Sequence, residues 1–217
     1  MLAMSVVLAL VVAAPIAAGK NAPSSGDLDK AELTQEWWTW AMTDPSPLDG
    51  SYNGGEQCNG EFVDGVFFLA GAAFDPNNLE VNRTCTVPPN TPILFPVVNV
   101  ICSEAWSEDP TPYDQCATDI TDQTVDPPST WYATLDGKDL KMQRIASGIF
   151  DWTIESNNNP FLRPAGTYQA GSDGQWVLLE DGLKKGTYTV QFGGTFKDTP
   201  FGDFEGAKVT YTLNVTK

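Results

Sequence analysis

GVFFLAGAAFDPNNLEVNRTCTVPPNTPILFPVVN, residues 65 to 99, concentrates the apolar surface of this 217-residue chain, and its three short runs decide the fold. Val66 to Leu69 is apolar throughout, Arg83 to Val87 alternates through a cysteine, and Ile93 to Val98 is apolar at both parities. Runs of this length, rich in Val, Ile and Phe and bounded by Gly, Pro and Asn, read as strands. Continuous rather than alternating apolarity implies burial on both faces. Pro96 interrupts the last run; with no N–H to give to a ladder, it belongs at a sheet edge or a bulge.

Downstream of residue 130 the period becomes two. Trp131, Ala133 and Leu135 alternate with other residues up to Asp136-Gly137, a hairpin dipeptide. Met142 to Ile154 supplies one or two more strands, Asn157 to Gly174 reads as a long loop closing on Asp173-Gly174, and Tyr188, Val190 and Phe192 share a face. In KVTYTLNVT, residues 208 to 216, Val209, Tyr211, Leu213 and Val215 point inward while Thr210, Thr212 and Asn214 point out. Such strands, separated by regular turn signals, predict a mainly β fold: an antiparallel β-sandwich of jelly-roll or Ig-like type.

One helix precedes it. Ser25 or Asp27 can cap LDKAELTQEWWTWAMT, whose first turn carries acidic residues where they favour the helix dipole. Leu33, Trp37, Trp40 and Ala41 form one apolar stripe at helical spacing, which leaves Trp38 on another face as the tryptophan to expose. Pro45 and Pro47 end the helix. Residues 1 to 19 hold an apolar core from Val6 to Ala14, then Pro15 and small residues. That core is too short to span a bilayer, so it reads as a secretory signal peptide, although a basic n-region is missing. Residues 20 to 26 then read as a linker and 27 to 217 as a single β-sandwich domain with its N-terminal helix.

Four cysteines with no CxxC, in a chain without histidine, favour disulfides over a zinc site. Among the possible pairings, Cys58 with Cys85 and Cys102 with Cys116 each close a loop beside the central strands, contributing about 3 kcal/mol apiece in the chain-entropy model. Asn82 and Asn214 head N-glycosylation sequons. Leader, disulfides and sequons together predict a protein that is secreted or held at the cell surface. Against 12 basic residues stand 28 acidic ones, a net charge of −16. Such a chain is repelled by nucleic acid and by anionic membranes, and no later segment is apolar enough for membrane insertion.

Without histidine, Ser-His-Asp, Cys-His and His-metal chemistries are excluded. What survives is the carboxylate chemistry of a glycoside hydrolase, for which no pair of acids stands out. The leading expectation is therefore a non-catalytic extracellular binding or matrix module whose partner is a glycan or an extracellular protein. Trp38 and Trp106 are its candidate aromatic contacts. Arg83 and Arg144, mid-strand in an arginine-poor chain, are candidates either for ion pairs with carboxylates or for bidentate recognition of an anionic substituent. Calcium is the cofactor with a candidate site: DGSYNGGEQCNGE places Asp49, Asn53, Glu56 and Glu61 in a Gly- and Asn-rich loop that approaches an EF-hand pattern without matching it. The acidic, Pro-rich stretch from Ser103 to Ser129 reads as a solvated loop.

WWTWAM, Cys58, GVFFLAG, RTCTVP, ILFPVVN, TLDGKDL, DGQWVLLEDGLKKGTYTVQFGG and VTYTLNVT, in that order, resemble a family of secreted bacterial and algal proteins known mainly from sequence. The resemblance spans nearly the whole mature chain and implies export without implying an activity. Many relatives carry histidines in a GKHTIHF-like pattern where this chain has Tyr188 and Gln191. Any metal or catalytic use of those histidines does not carry over.

Overall fold

A computed structural model describes residues 28–48, 58, 60–72, 80–106, 112–126, 128–199 and 202–216. The leader, the linker and three expected calcium ligands, Asp49, Asn53 and Glu56, lie outside them. In chain order the elements are α1 (Lys30–Trp40), β1 (Gly60–Val63), β2 (Val66–Leu69), β3 (Glu80–Val87), β4 (Ile93–Ser103), α2 (Tyr113–Thr124), β5 (Thr130–Leu135), β6 (Lys138–Asp139), β7 (Gln143–Ile154), β8 (Gly166–Leu179), β9 (Gly186–Phe196), β10 (Phe204–Glu205) and β11 (Lys208–Val215). The described residues are mainly β, with two sheets and two helices. The first sheet runs β1-β2-β4-β8-β7; the second runs β3-β11-β9-β5-β6, with β10 beside β9.

The apolar runs at 66–69 and 93–98 are continuous because the first sheet is covered on both sides. Val66, Phe68, Ala70 and Leu94 face α1 and pack on Leu33, Trp37 and Trp40. Phe67, Leu69, Ile93, Phe95 and Val97 face the second sheet and meet Val81, Val190, Phe192, Val209 and Leu213. Each fully buried Val, Leu or Phe contributes about 1.5–3 kcal/mol. The second sheet alternates: in β3, Val81, Arg83, Cys85 and Val87 face inward, while Glu80, Asn82 and Thr86 are exposed.

Two pairs break the expected antiparallel order. β2 lies parallel to β4, and β3 parallel to β11. The first follows from the chain path, which leaves the first sheet after β2, runs β3 in the second, and returns beside β2 in the same direction. Pro96 sits where the β4–β8 register shifts, between Pro96 and Val98, so it occupies a bulge as its missing N–H requires.

Local readings change in four places. Asp29, not Ser25 or Asp27, caps α1, its Oδ1 accepting from the backbone N–H of Ala31 and Glu32. Trp38 is 3% exposed, because residues beyond the helix stripe, Trp152 and Phe161, cover its second face. Asp173-Gly174 is not a turn but the middle of β8. Gly174 is needed there by close approach, since a Cβ would lie 2.4 Å from the Val98 carbonyl. The acidic stretch expected as a loop contains α2, whose Ala117 and Thr121 are buried one turn apart. It packs directly on β8 at Gly171, where a Cβ would lie 2.3 Å from the Asp114 nitrogen.

Both sulfur bridges join the expected partners. Cys58–Cys85 links the segment entering β1, an edge of the first sheet, to β3, an edge of the second. Cys102–Cys116 fastens α2 to β4. Among the described residues no helix is long and apolar enough to cross a membrane.

Candidate functional site

Beyond the Phe68–Leu94 pair, the β2-side edge of β4 has no partner strand among the described residues, because β2 stops at Leu69 while β4 continues to Ser103. A strand that loses its neighbour leaves space beside it. Here that space is a cavity of about 750 Å³ that reaches both faces of the first sheet. Trp37, Trp38, Trp106 and Phe161 line it on the α1 side, and Trp131, Phe192, Phe196 and Val209 on the side of the second sheet. No charged side chain is among the described lining residues.

The aromatic walls are held by one another. Trp37 and Trp38 meet edge to face at 5.2 Å, Trp106 stacks on Trp152 at 5.3 Å, and Phe161 stands edge-on to Trp106 at 5.6 Å. Such pairs add about 0.5–1.5 kcal/mol beyond area burial and fix ring orientation. Polar groups in the lining are few. Trp37 Nε1 donates to the Leu69 carbonyl (3.0 Å) and Trp131 Nε1 to the Val125 carbonyl (2.7 Å). Trp38 Nε1 and Asn99 Nδ2 are buried without an acceptor.

Of the residues singled out by sequence, Trp38 and Trp106 therefore come together, as walls of a partly open apolar cavity instead of an exposed platform. Both arginines lie elsewhere. Arg83 is 3% exposed and forms no ion pair with a carboxylate among the described residues. Its Nη1 donates to the carbonyls of Ala70 (2.9 Å) and Gly71 (2.8 Å) and to the Tyr211 hydroxyl (2.8 Å), while its guanidinium lies 5.5 Å from the Tyr211 ring. The Tyr211 hydroxyl in turn donates to the Ala70 carbonyl at 2.9 Å. Together they satisfy the backbone where the chain leaves the first sheet. Because Gly71 also lines the cavity, Arg83 braces the wall from behind. Burial holds the Tyr211 phenol above its ordinary range.

Arg144 fastens α2 to the first sheet. Its Nε and Nη2 grip both oxygens of Asp173 (2.6–3.1 Å), Nη1 donates to Asp126 (2.9 Å), and Nη2 pairs with Asp122 (2.7 Å). The hydrogen bond to Asp173, 1% exposed, is the largest cause holding the guanidinium above its already high ordinary range.

Glu61, the described member of the expected calcium set, accepts from Trp40 Nε1 at 3.0 Å. It lines a smaller cleft of about 470 Å³ with Glu32, Glu36, Trp40 and Asp151. Burial, then the charges of Asp64 and Glu32, raise the Glu36 carboxyl above its ordinary range, and its Oε2 has no partner. No group of three or more His, Cys, Asp or Glu among the described residues is arranged to hold a metal. Asn82 and Asn214 both lie on the outer face of the second sheet, on parallel neighbouring strands, with Thr187 Oγ1 donating to Asn214 Oδ1 at 3.2 Å.

Sequence reading missed the second half of the cavity, Asn99, Phe192 and Phe196. The available signal was Pro96, expected at an edge or a bulge and found in the cavity lining.

No protein-family model and no curated protein matches the chain. Among solved structures it has likeness to PbICP-C in complex with falcipain-2, at 8% identity over 69% of this chain and 98% of that one, with a TM-score of 0.26. The solution structure of Amebosin gives 10% identity, 64% and 98% coverage, and a TM-score of 0.19. At these scores neither likeness bears on fold or function.

Proposed function

We propose that this chain is an extracellular, disulfide-tied binding module that takes a small, largely apolar molecule into the cavity beside β4. The observation that carries the reading is the cavity itself: about 750 Å³, walled by tryptophan and phenylalanine, with no charged lining residue among those described. Sites for small organic ligands are concave, mostly apolar and furnished with a few polar groups. The two disulfides support an oxidising compartment. A glycan needs an open ring face with polar groups around it. Trp38 offers no such face, so the sugar-stacking reading has less support than the cavity one.

The test is a fluorescence titration of the tryptophans with naphthalene-sized apolar compounds and, separately, with soluble oligosaccharides. Saturable quenching by the former alone supports the proposal; response to oligosaccharides alone overturns it. Gly71→Leu supplies the control. Gly71 lies outside the left-handed backbone region, and a Cβ there meets nothing closer than Pro96 Cγ at 3.7 Å, so added atoms enter the cavity. The variant keeps its melting temperature and loses the ligand.

A second reading rests on Glu36. A carboxyl with a raised pKa that lines one cleft with Glu61, Asp151 and Trp40 has the parts of a glycoside hydrolase acid and its partner carboxylate. It predicts release of reducing ends from a polysaccharide panel, abolished by Glu36→Gln in a folded variant. A wild-type protein inert on that panel between pH 4 and pH 7 removes it.

A further inference from the structure

We infer that the cavity's ligand carries a neutral hydrogen-bond acceptor, a carbonyl, ester or hydroxyl oxygen, that meets the N–H groups of Trp38 and Asn99. This rests on the cavity being a binding site. Three side chains among the described residues bury a neutral N–H donor without an acceptor: Trp38, Asn99 and Trp176. The first two line the cavity. They also share a side of the first sheet. Ile101, two residues along β4 from Asn99, packs into the α1-facing core to which Trp38 belongs. By contrast, Trp37 and Trp131, in the same lining, give their N–H groups to backbone carbonyls and have none to offer.

A buried donor left without an acceptor is costly, about 1–3 kcal/mol. It is tolerated most readily where something else supplies the acceptor. An oxygen on an otherwise apolar guest would satisfy both groups at the moment of binding, which is how an apolar pocket obtains orientation and selectivity. The acceptor is neutral, not anionic. Among the described lining residues no cation balances a carboxylate, whose transfer into apolar surroundings without a partner is prohibitive. The Arg83 guanidinium lies behind the Gly71 wall, with Nη1 already shared among three oxygens.

Calorimetric titration with three probes of nearly equal size tests this: 2-ethylnaphthalene, 2-acetylnaphthalene and 2-naphthoate. The ketone binds about tenfold more tightly than the hydrocarbon, the gain from one or two net hydrogen bonds, and the naphthoate more weakly than the ketone. Asn99→Leu and Trp38→Phe each reduce the ratio of ketone to hydrocarbon affinity, and together they bring it to about one. Asn99→Leu, which removes no ring from the core, keeps the test decisive should Trp38→Phe unfold. Equal binding of ketone and hydrocarbon by the wild type, or preference for naphthoate, overturns the inference and leaves the cavity reading standing. Binding of none of the three overturns the cavity reading and this inference with it.

Discussion

At the scale of single residues, the buried polar groups separate by what they do for the backbone. Arg83 occupies an inward position of β3, where alternation calls for an apolar residue, because Ala70 and Gly71 leave the sheet and their carbonyls need donors. Arg83→Met leaves the Gly71 carbonyl unsatisfied and lowers stability by about 2 kcal/mol in urea unfolding, with an unchanged slope. A more stable variant would mean that the guanidinium is only a burden. Glu36 works the other way. Its folded pKa is raised, so the folded state holds its proton more tightly than the unfolded chain; its favourable contribution is complete below the ordinary glutamate range and is lost as pH rises through the folded pKa. Glu36→Gln therefore raises the melting temperature at pH 7 and has less effect near pH 4, in paired thermal scans. Arg83 was legible as exceptional from arginine scarcity alone, but its partners were not. Carbonyl acceptors leave no trace in side-chain identity, whereas carboxylates do, which is why an ion pair was the natural expectation.

Among the elements, the strands that alternate or stay apolar were readable, and those governed by contacts from elsewhere were not. β11 and β2 appear where their patterns put them. α2 was hidden because its stretch is acidic and bracketed by prolines, and its helical signal is only the Ala117–Thr121 pair. What holds it is tertiary: the Cys116 bridge and the Arg144 clamp on Asp122, Asp126 and Asp173. Arg144→Met strands the Asp173 carboxylate inside the sheet and costs about 3 kcal/mol by denaturant titration, while ligand affinity at the cavity stays within twofold. Lost ligand binding in a folded variant would instead make Arg144 part of the site. The β7–β8 connection shows the same override. Asn159, buried, holds the loop through the carbonyls of Ser156 and Arg163 and the N–H groups of Phe161 and Arg163. This leaves Leu162 at φ 53° and 85% exposed. Leu162→Asn, which suits that backbone region, adds about 1 kcal/mol in the same assay.

For the whole molecule, the length and position of the apolar runs foretold two sheets with a doubly covered first sheet, but not where the sheets part. The cavity exists because β2 is shorter than β4, a mismatch between segments that no local pattern encodes; only Pro96 hinted at it. Its walls then come from parts of the sequence far apart, Trp37 and Phe192 among them, so composition could predict aromatic recognition without showing that the rings face inward. Mapping amide chemical shifts as 2-acetylnaphthalene is added locates the bound molecule on the fold. Saturable shifts are expected at Gly71, Ala72, Val97 to Ile101, Phe192 and Val209, with the cleft at Glu36, Glu61 and Asp151 unmoved. Shifts confined to that cleft, or none anywhere at saturating ligand, would contradict binding in the cavity beside β4.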